Sequence, residues 1–123
     1  MKLEKIDHVT IYVRDLEKAR RFFSHLLDAK FDDILEEERL DLRRSMGPAG
    51  IELIEPLTPD GPVARAIDNR GEGLSLVSLK VPNLEKAVAE MQSRGVRVAA
   101  RIEHLVVFHP KDTYGVMLEF VEK

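Results

Sequence analysis

The chain has 123 residues, of which 44% are apolar, and 19 basic and 22 acidic side chains give a net charge of −3. This length and apolar content suit one globular domain, and the mixed charges exclude the basic stripe of a nucleic-acid-binding surface. The absence of cysteine excludes disulfides and thiolate chemistry. Because the apolar runs are short and the first residues lack a signal-like apolar core, we expect a cytoplasmic protein with no membrane partner.

One pattern occurs twice along the chain. An alternating run followed by LEKA is found in IDHVTIYVRDLEKA and again in LSLVSLKVPNLEKA, which places His8 over Leu76. Farther along each copy, IELIEP matches LEFVEK, which places Glu52 over Glu119. Two copies are too few for a solenoid, so the repeat predicts two similar modules packed into one domain.

Each module is predicted to contain a strand, a helix and three further strands. In the first module, about 1–57, Asp15 is the expected cap of a helix over residues 16–27, and strands are predicted at 7–13, 31–35, 39–46 and 51–55. A linking segment of about 58–71 contains a short helix at 62–69. In the second module, about 72–123, a helix runs from an Asn83 cap to Gly95, between strands at 74–81, 96–102, 104–108 and 116–121.

Strand alternation predicts which side chains share a face. Helix residues 16, 19, 22, 23, 26 and 27 are apolar and are predicted to form one apolar face of the helix. In the first strand His8 lies opposite to its apolar neighbours, as do Glu52, Leu76 and Glu119 in theirs. If the helices cover one face of a curved sheet, these four side chains converge on the uncovered concave face.

Three stretches resemble the vicinal oxygen chelate superfamily of glyoxalases and bleomycin-resistance proteins. IDHVTIYVRDLEKARRFF, IELIEPLTPDGPVARAIDNRGEG and HPKDTYGVMLEFVEK are most similar to segments of methylmalonyl-CoA epimerases. The resemblance covers nearly the whole chain and is weakest over residues 32–45. It implies a glyoxalase-like α+β fold, in which two βαβββ modules form a curved mixed sheet with a concave cleft.

The resemblance also implies a divalent metal held by four side chains. Carried over by motif, the ligands are His8 in DHV, Glu52 in IEL and Glu119 in LEF. The remaining ligand should be a histidine at the start of the second module, where this chain has Leu76. One imidazole and two carboxylates suit Co, Mn, Zn or Ni, and Mg is compatible with fewer protein ligands.

The implied chemistry is epimerisation of a small acyl-CoA substrate at the carbon next to a carbonyl. Such an isomerase needs two bases on opposite faces of the substrate and stabilisation of the enolate. By resemblance Glu119 is one of the bases. Residues 36–38 (Glu-Glu-Glu) are the candidates for the other, although such a run is also typical of an exposed turn.

Several alternatives stay open at this stage. The same scaffold supports glyoxalase-type lyases and metal-free, small-molecule-binding resistance proteins, and Leu76 favours the latter. Lys80 or an arginine can neutralise the carboxylates, and His104 can replace the missing ligand. We expect a homodimer, and basic side chains are candidates for contacts to CoA phosphates, or are simply solvated: Arg43, Arg44, Arg65, Arg70 and Lys111.

Overall fold

The secondary structure follows the predicted order, with two βαβββ modules joined by a helix. The structure, a computed structural model, describes residues 1–123. No helix in it has the length and apolar character needed to cross a bilayer. The elements are β1 (Lys5–Tyr12), α1 (Leu16–Leu27), β2 (Leu35–Glu37), β3 (Leu42–Met46), β4 (Ile51–Pro56), α2 (Pro62–Arg70), β5 (Gly73–Lys80), α3 (Leu84–Ser93), β6 (Val98–Ile102), β7 (Leu105–Phe108) and β8 (Met117–Val121).

The residues pack as two units, and β1 contributes to both. The terminal unit contains Met1–Val9 and Ser75–Lys123, and the central unit contains Thr10–Leu74. In the terminal unit the strand order is β5-β8-β7-β6, with β5 parallel to β8 and the other pairs antiparallel. In the central unit β2, β3 and β4 form an antiparallel set. Both modules are thus α+β, as the sequence predicts.

The core of the terminal unit lies between α3 and one face of its strands. Leu84 and Val88 of the helix pack with Val106 and Phe108 of β7 and Phe120 of β8. The rings of Phe108 and Phe120 meet edge to face, with centroids 4.8 Å apart. Because side chains alternate along β8, the residue before Phe120 points to the opposite face.

The central unit has two apolar clusters. One joins α1 to β4 through Leu16 and Leu53, both fully buried. The other joins α2 to β1 and β4 through Tyr12, Ile54 and Ile67. Neighbouring residues of β4, Leu53 and Ile54, therefore belong to different clusters on opposite faces of the strand. The same alternation decides which face each polar residue of the strand occupies.

Only part of the predicted apolar face of α1 is buried in the structure. Leu16 is buried, whereas Phe22, Leu26 and Leu27 are 57%, 61% and 46% exposed. Residues 16, 19 and 23 form one helical stripe that reaches the core. Phe22 and Leu26 lie at the edge of that stripe and Leu27 is in the last turn, so the strands do not cover them.

The second and third strands also differ from their predicted bounds. Phe31, expected in a strand, is instead a core residue with 2% exposure that packs with Leu53. A short 3-10 turn over residues 38–40 interrupts the expected third strand, and Asp41 ends it with a left-handed backbone at φ 56°. The strand β3 therefore begins only at Leu42.

In each module, a glutamate in or directly after the last strand forms a hydrogen bond with the start of that module's helix. The carboxylate of Glu55 accepts a hydrogen bond from the backbone N–H of Leu16 at 2.8 Å. Glu122 does the same for Leu84 at 2.7 Å. Each carboxylate satisfies one of the N–H groups that a helix start leaves unpaired, and its charge complements the helix dipole.

We expect Glu122→Ala to lower the free energy of unfolding by about 1 kcal/mol, because the first N–H of α3 loses its acceptor. Urea unfolding followed by circular dichroism measures this. Glu122→Gln keeps an acceptor oxygen and should lose less. Equal stability of the alanine variant and the parent chain would contradict this role.

Candidate functional site

In the terminal unit a buried carboxylate is flanked by a hydroxyl and an imidazole. Glu119 is 6% exposed, Ser78 0% and His8 8%. The Ser78 hydroxyl donates to Glu119 Oε1 at 2.7 Å, and His8 Nε2 lies 3.5 Å from the same oxygen. Ser78 and Glu119 are direct partners in the register of β5 and β8, so their side chains leave the sheet on one face.

The imidazole of His8 is oriented by a second carboxylate. Its Nδ1 lies 2.8 Å from Asp7 Oδ2, which also accepts from the Lys123 ammonium at 2.9 Å. Burial raises the pKa of Asp7, but the hydrogen bonds with His8 and Lys123 and their charges lower it, and the resulting pKa lies below its usual value. The contact with Asp7 fixes the orientation of the ring, so Nε2 is the nitrogen that faces Glu119.

In the central unit a second buried carboxylate has a similar partner. Glu52 is 5% exposed, and its Oε1 accepts from the fully buried Thr10 hydroxyl at 2.8 Å. The guanidinium of Arg44 lies 3.7 Å from Glu52 Oε2. The carboxylate charge is therefore balanced by an arginine of the same unit, which is one of the alternatives that the sequence left open.

The two carboxylates occupy equivalent places in the repeat, and so do their hydroxyl partners. Thr10 follows His8 by two residues in the first module, and Ser78 follows Leu76 by two in the second. Strand alternation alone places Thr10 on the face of His8 and Ser78 on the face of Leu76, but no sequence motif assigns the two hydroxyls a role. The equal spacing of Thr10 and Ser78 in the two copies is the feature of the sequence that indicates a shared role.

The predicted metal ligands are distributed between the units. His8 and Glu119 come together in the terminal unit, whereas Glu52 belongs to the central unit. Leu76, at the place expected for the remaining ligand, is 6% exposed and has no donor atom. No three His, Cys, Asp or Glu side chains form a group that is able to hold a metal ion.

The donor chemistry nonetheless fits a divalent ion in part. A carboxylate behind the second ring nitrogen is the usual support of a metal-bound histidine, and Asp7 supplies it to His8. An imidazole nitrogen and a carboxylate oxygen are ligand types that Zn, Co, Mn and Ni accept. The terminal unit therefore brings together two side chains of the kinds that ligate such an ion, His8 and Glu119.

The three consecutive glutamates of residues 36–38 lie in different settings. Glu36 pairs with Arg43 across β2 and β3, with 3.1 Å between Oε2 and Nε. Glu37 of β2 is the register partner of Leu42, and alternation puts it on the same sheet face as Arg44 of β3. Glu37 accepts from the Arg39 guanidinium at 3.2 Å. Glu37 is the last residue of β2, and of the two glutamates in that strand it is the one on the same sheet face as Glu52.

The other candidate residues have local roles or exposed positions. Lys80 pairs with Glu4 at 3.6 Å. His104 lies exposed in the turn between β6 and β7. Arg43 also pairs with Glu55 at 3.2 Å, and Arg65 donates to the carbonyl of Asp60. These contacts do not place any of them beside Glu52 or Glu119.

Known proteins resemble the chain along almost its full length. Residues 7–108 match the model of the Glyoxalase/Bleomycin resistance protein/Dioxygenase superfamily. The chain is 30% identical over 129 residues to the mitochondrial methylmalonyl-CoA epimerase of Mus musculus, an alignment that covers 96% of this chain and 72% of that protein.

Two solved structures share its fold. The methylmalonyl-CoA epimerase of Mycobacterium tuberculosis is 26% identical, with a TM-score of 0.88 over 98% of this chain and 88% of that one. A variant of the Streptomyces coelicolor methylmalonyl-CoA epimerase, in complex with 2-nitronate-propionyl-CoA, is 25% identical, with a TM-score of 0.89 over 99% of each chain. The predicted glyoxalase-like fold is thus confirmed, and the chain belongs to the glyoxalase, bleomycin resistance and dioxygenase superfamily, in which it is similar to methylmalonyl-CoA epimerases.

Proposed function

We propose that the protein is an acyl-CoA epimerase that inverts the carbon next to a thioester carbonyl. The observation that carries this proposal is the buried Glu119, bonded to Ser78 and 3.5 Å from His8, in a chain that matches methylmalonyl-CoA epimerases over most of its length. A carboxylate placed in this way is suited to proton transfer. The acyl-CoA analogue bound to the Streptomyces coelicolor relative supports the substrate class.

The reaction requires one proton to leave and one to return on the other face. In the proposed sequence the Glu119 carboxylate takes the α-proton, and the electron pair of the broken C–H bond passes into the thioester carbonyl to give an enolate. A protonated acid on the opposite face then returns a proton to that carbon. We propose Glu37 for this second role, because it lies in β2 on the same face of the sheet as Glu52 of β4.

We further propose that a divalent ion, Co, Mn, Zn, Ni or Mg, assists this chemistry. His8 and Glu119 of the terminal unit would hold it, and the family motif adds Glu52. A bound divalent ion supplies electrophilic stabilisation of a developing enolate oxygen. Asp7 contacts His8 Nδ1, so Nε2 is the ring nitrogen that would meet such an ion.

A second candidate function is binding of a small molecule without chemistry. Leu76 favours it, because an apolar side chain with 6% exposure stands where the family has a ligating histidine. Resistance-type members of the superfamily would provide the precedent for such a role. The two functions differ in whether the substrate's α-hydrogen exchanges with solvent.

We also propose that the protein acts as a cytoplasmic homodimer. Three exposed apolar side chains of α1, Phe22, Leu26 and Leu27, support this assembly because a second copy would cover them. Light scattering after size-exclusion chromatography reports the mass in solution. A single 14.0 kDa species at micromolar concentration would argue against the dimer.

We expect the purified protein to exchange the α-hydrogen of methylmalonyl-CoA for deuterium in heavy water. Glu119→Gln should lower this rate by at least ~100-fold, because the amide cannot accept the proton. Mass spectrometry of the thioester measures the exchange, and metal analysis of the same sample shows whether an ion is bound. Saturable binding of methylmalonyl-CoA without exchange would overturn the epimerase and support the binding protein.

We expect Leu76→His to bind Co²⁺ at least about tenfold more tightly than the parent chain, because it adds an imidazole donor to the face of β5 that carries Ser78. Isothermal titration calorimetry measures the affinity. Leu79→His, on the opposite face of the same strand, is the matched control. Equal affinity for the Leu76 variant and its control would argue against a metal site on this face.

A further inference from the structure

We propose that Ser78 and Thr10 are positioning residues, each of which fixes the carboxylate of its own unit in one orientation. This inference rests on the proposed function, since it assigns the fixed carboxylates to the epimerase site. It adds two residues to which the family motifs give no role. The duplicated geometry of the hydroxyl–carboxylate contact is the observation behind it.

Both hydroxyls are sequestered from solvent. Thr10 and Ser78 are each 0% exposed, and the carboxylates of Glu52 and Glu119 are 5% and 6% exposed. The two hydrogen bonds are 2.8 Å and 2.7 Å long and each ends on an Oε1 atom. Water competes poorly for a carboxylate in such a place, so a buried hydroxyl governs the direction in which the carboxylate points.

Short side chains on a strand make effective anchors. A serine or threonine hydroxyl is separated from the backbone by one rotatable bond, whereas a glutamate carboxylate is separated by three. In the terminal unit Ser78 lies directly across from Glu119 in the strand register. The pairing of β5 with β8 therefore fixes the position of the Ser78 hydroxyl. Its hydrogen bond then restricts the longer Glu119 side chain to one orientation.

A purely stabilising role is the competing explanation, because buried hydroxyls usually find an acceptor. The chain provides a matched control for it. Ser45 is 1% exposed and its hydroxyl donates to the backbone carbonyl of Asp32 at 2.6 Å. It pairs with Leu53 in the sheet and so lies on the face opposite to Glu52. Loss of the Ser45 hydroxyl costs stability without disturbing a carboxylate.

The two anchors should affect different kinetic constants. Ser78 holds the proposed base, so its loss should lower kcat and leave KM nearly unchanged. Thr10 holds Glu52, which the proposed function uses to bind the ion, so its loss should weaken Co²⁺ binding more than it lowers kcat with Co²⁺ in excess. A merely structural role predicts neither pattern.

The test compares Ser78→Ala, Ser78→Thr, Thr10→Val, Thr10→Ser and Ser45→Ala. For each, deuterium exchange into methylmalonyl-CoA gives kcat and KM, calorimetry gives Co²⁺ affinity, and urea unfolding gives stability. We expect Ser78→Ala to lower kcat at least about tenfold, Ser78→Thr to restore most of it, and Ser45→Ala to change kcat less than about twofold. We expect Thr10→Val, but not Thr10→Ser, to weaken Co²⁺ binding at least about tenfold.

Crystal structures of Ser78→Ala and the parent chain give a readout that does not depend on activity. We expect the Glu119 carboxylate to leave its single rotamer in the variant. If Ser78→Ala does not fold, Ser78→Cys replaces it, because a thiol has a similar volume and is only a weak donor.

The outcomes separate this inference from the proposed function. An unchanged Glu119 rotamer, or a kcat for Ser78→Ala equal to that of Ser45→Ala, would overturn the positioning role while an active parent chain upholds the epimerase. An inactive parent chain would overturn the epimerase, and with it the catalytic meaning of the anchors.

Discussion

A carboxylate removed from water must have partners, and this requirement organises the polar part of the protein. Leaving an ionised group buried and unpaired would cost several kcal/mol. Glu52 and Glu119 are both almost completely buried, and each has a hydroxyl donor and a nearby nitrogen of an arginine or a histidine. The hydroxyls at Thr10 and Ser78 follow from the same requirement, because they are the donors that the neighbouring strands bring closest.

The last strand of each module serves two faces at once. Glu52 and Glu55 are three residues apart on β4, so alternation directs them to opposite faces. One meets Thr10, and the other meets the first N–H of α1. Glu119 in β8 and Glu122 directly after that strand repeat this arrangement with Ser78 and Leu84. A shift of one residue in either strand would turn both glutamates to the wrong face, so the contact with the helix start and the contact with the buried hydroxyl require the same register.

Much of this arrangement could be predicted from the sequence, because the periodicity of apolar residues, the helix caps and the internal repeat all indicate the same elements. The bounds of α1, the cap at Asn83 and the faces of Glu52 and Glu119 depend on periodicity and spacing, which a sequence displays directly. The exposure of Phe22 and the burial of Phe31 could not be predicted, because they depend on where the sheet ends beneath α1. The contacts of Thr10 and Ser78 were missed for a similar reason. A hydroxyl on a strand is ordinary until its partner across the sheet is known.

Each buried carboxylate has a hydroxyl and a nitrogen partner within its own unit, and this affects how the two copies of the repeat can diverge in sequence. Glu52 finds its hydroxyl and its arginine within Thr10–Leu74, and Glu119 finds its hydroxyl and its histidine within the residues of the other unit. A side chain of one unit can therefore change without removing the hydroxyl that pairs with the carboxylate of the other unit. Two copies that share a plan but not their electrostatic partners can diverge one at a time.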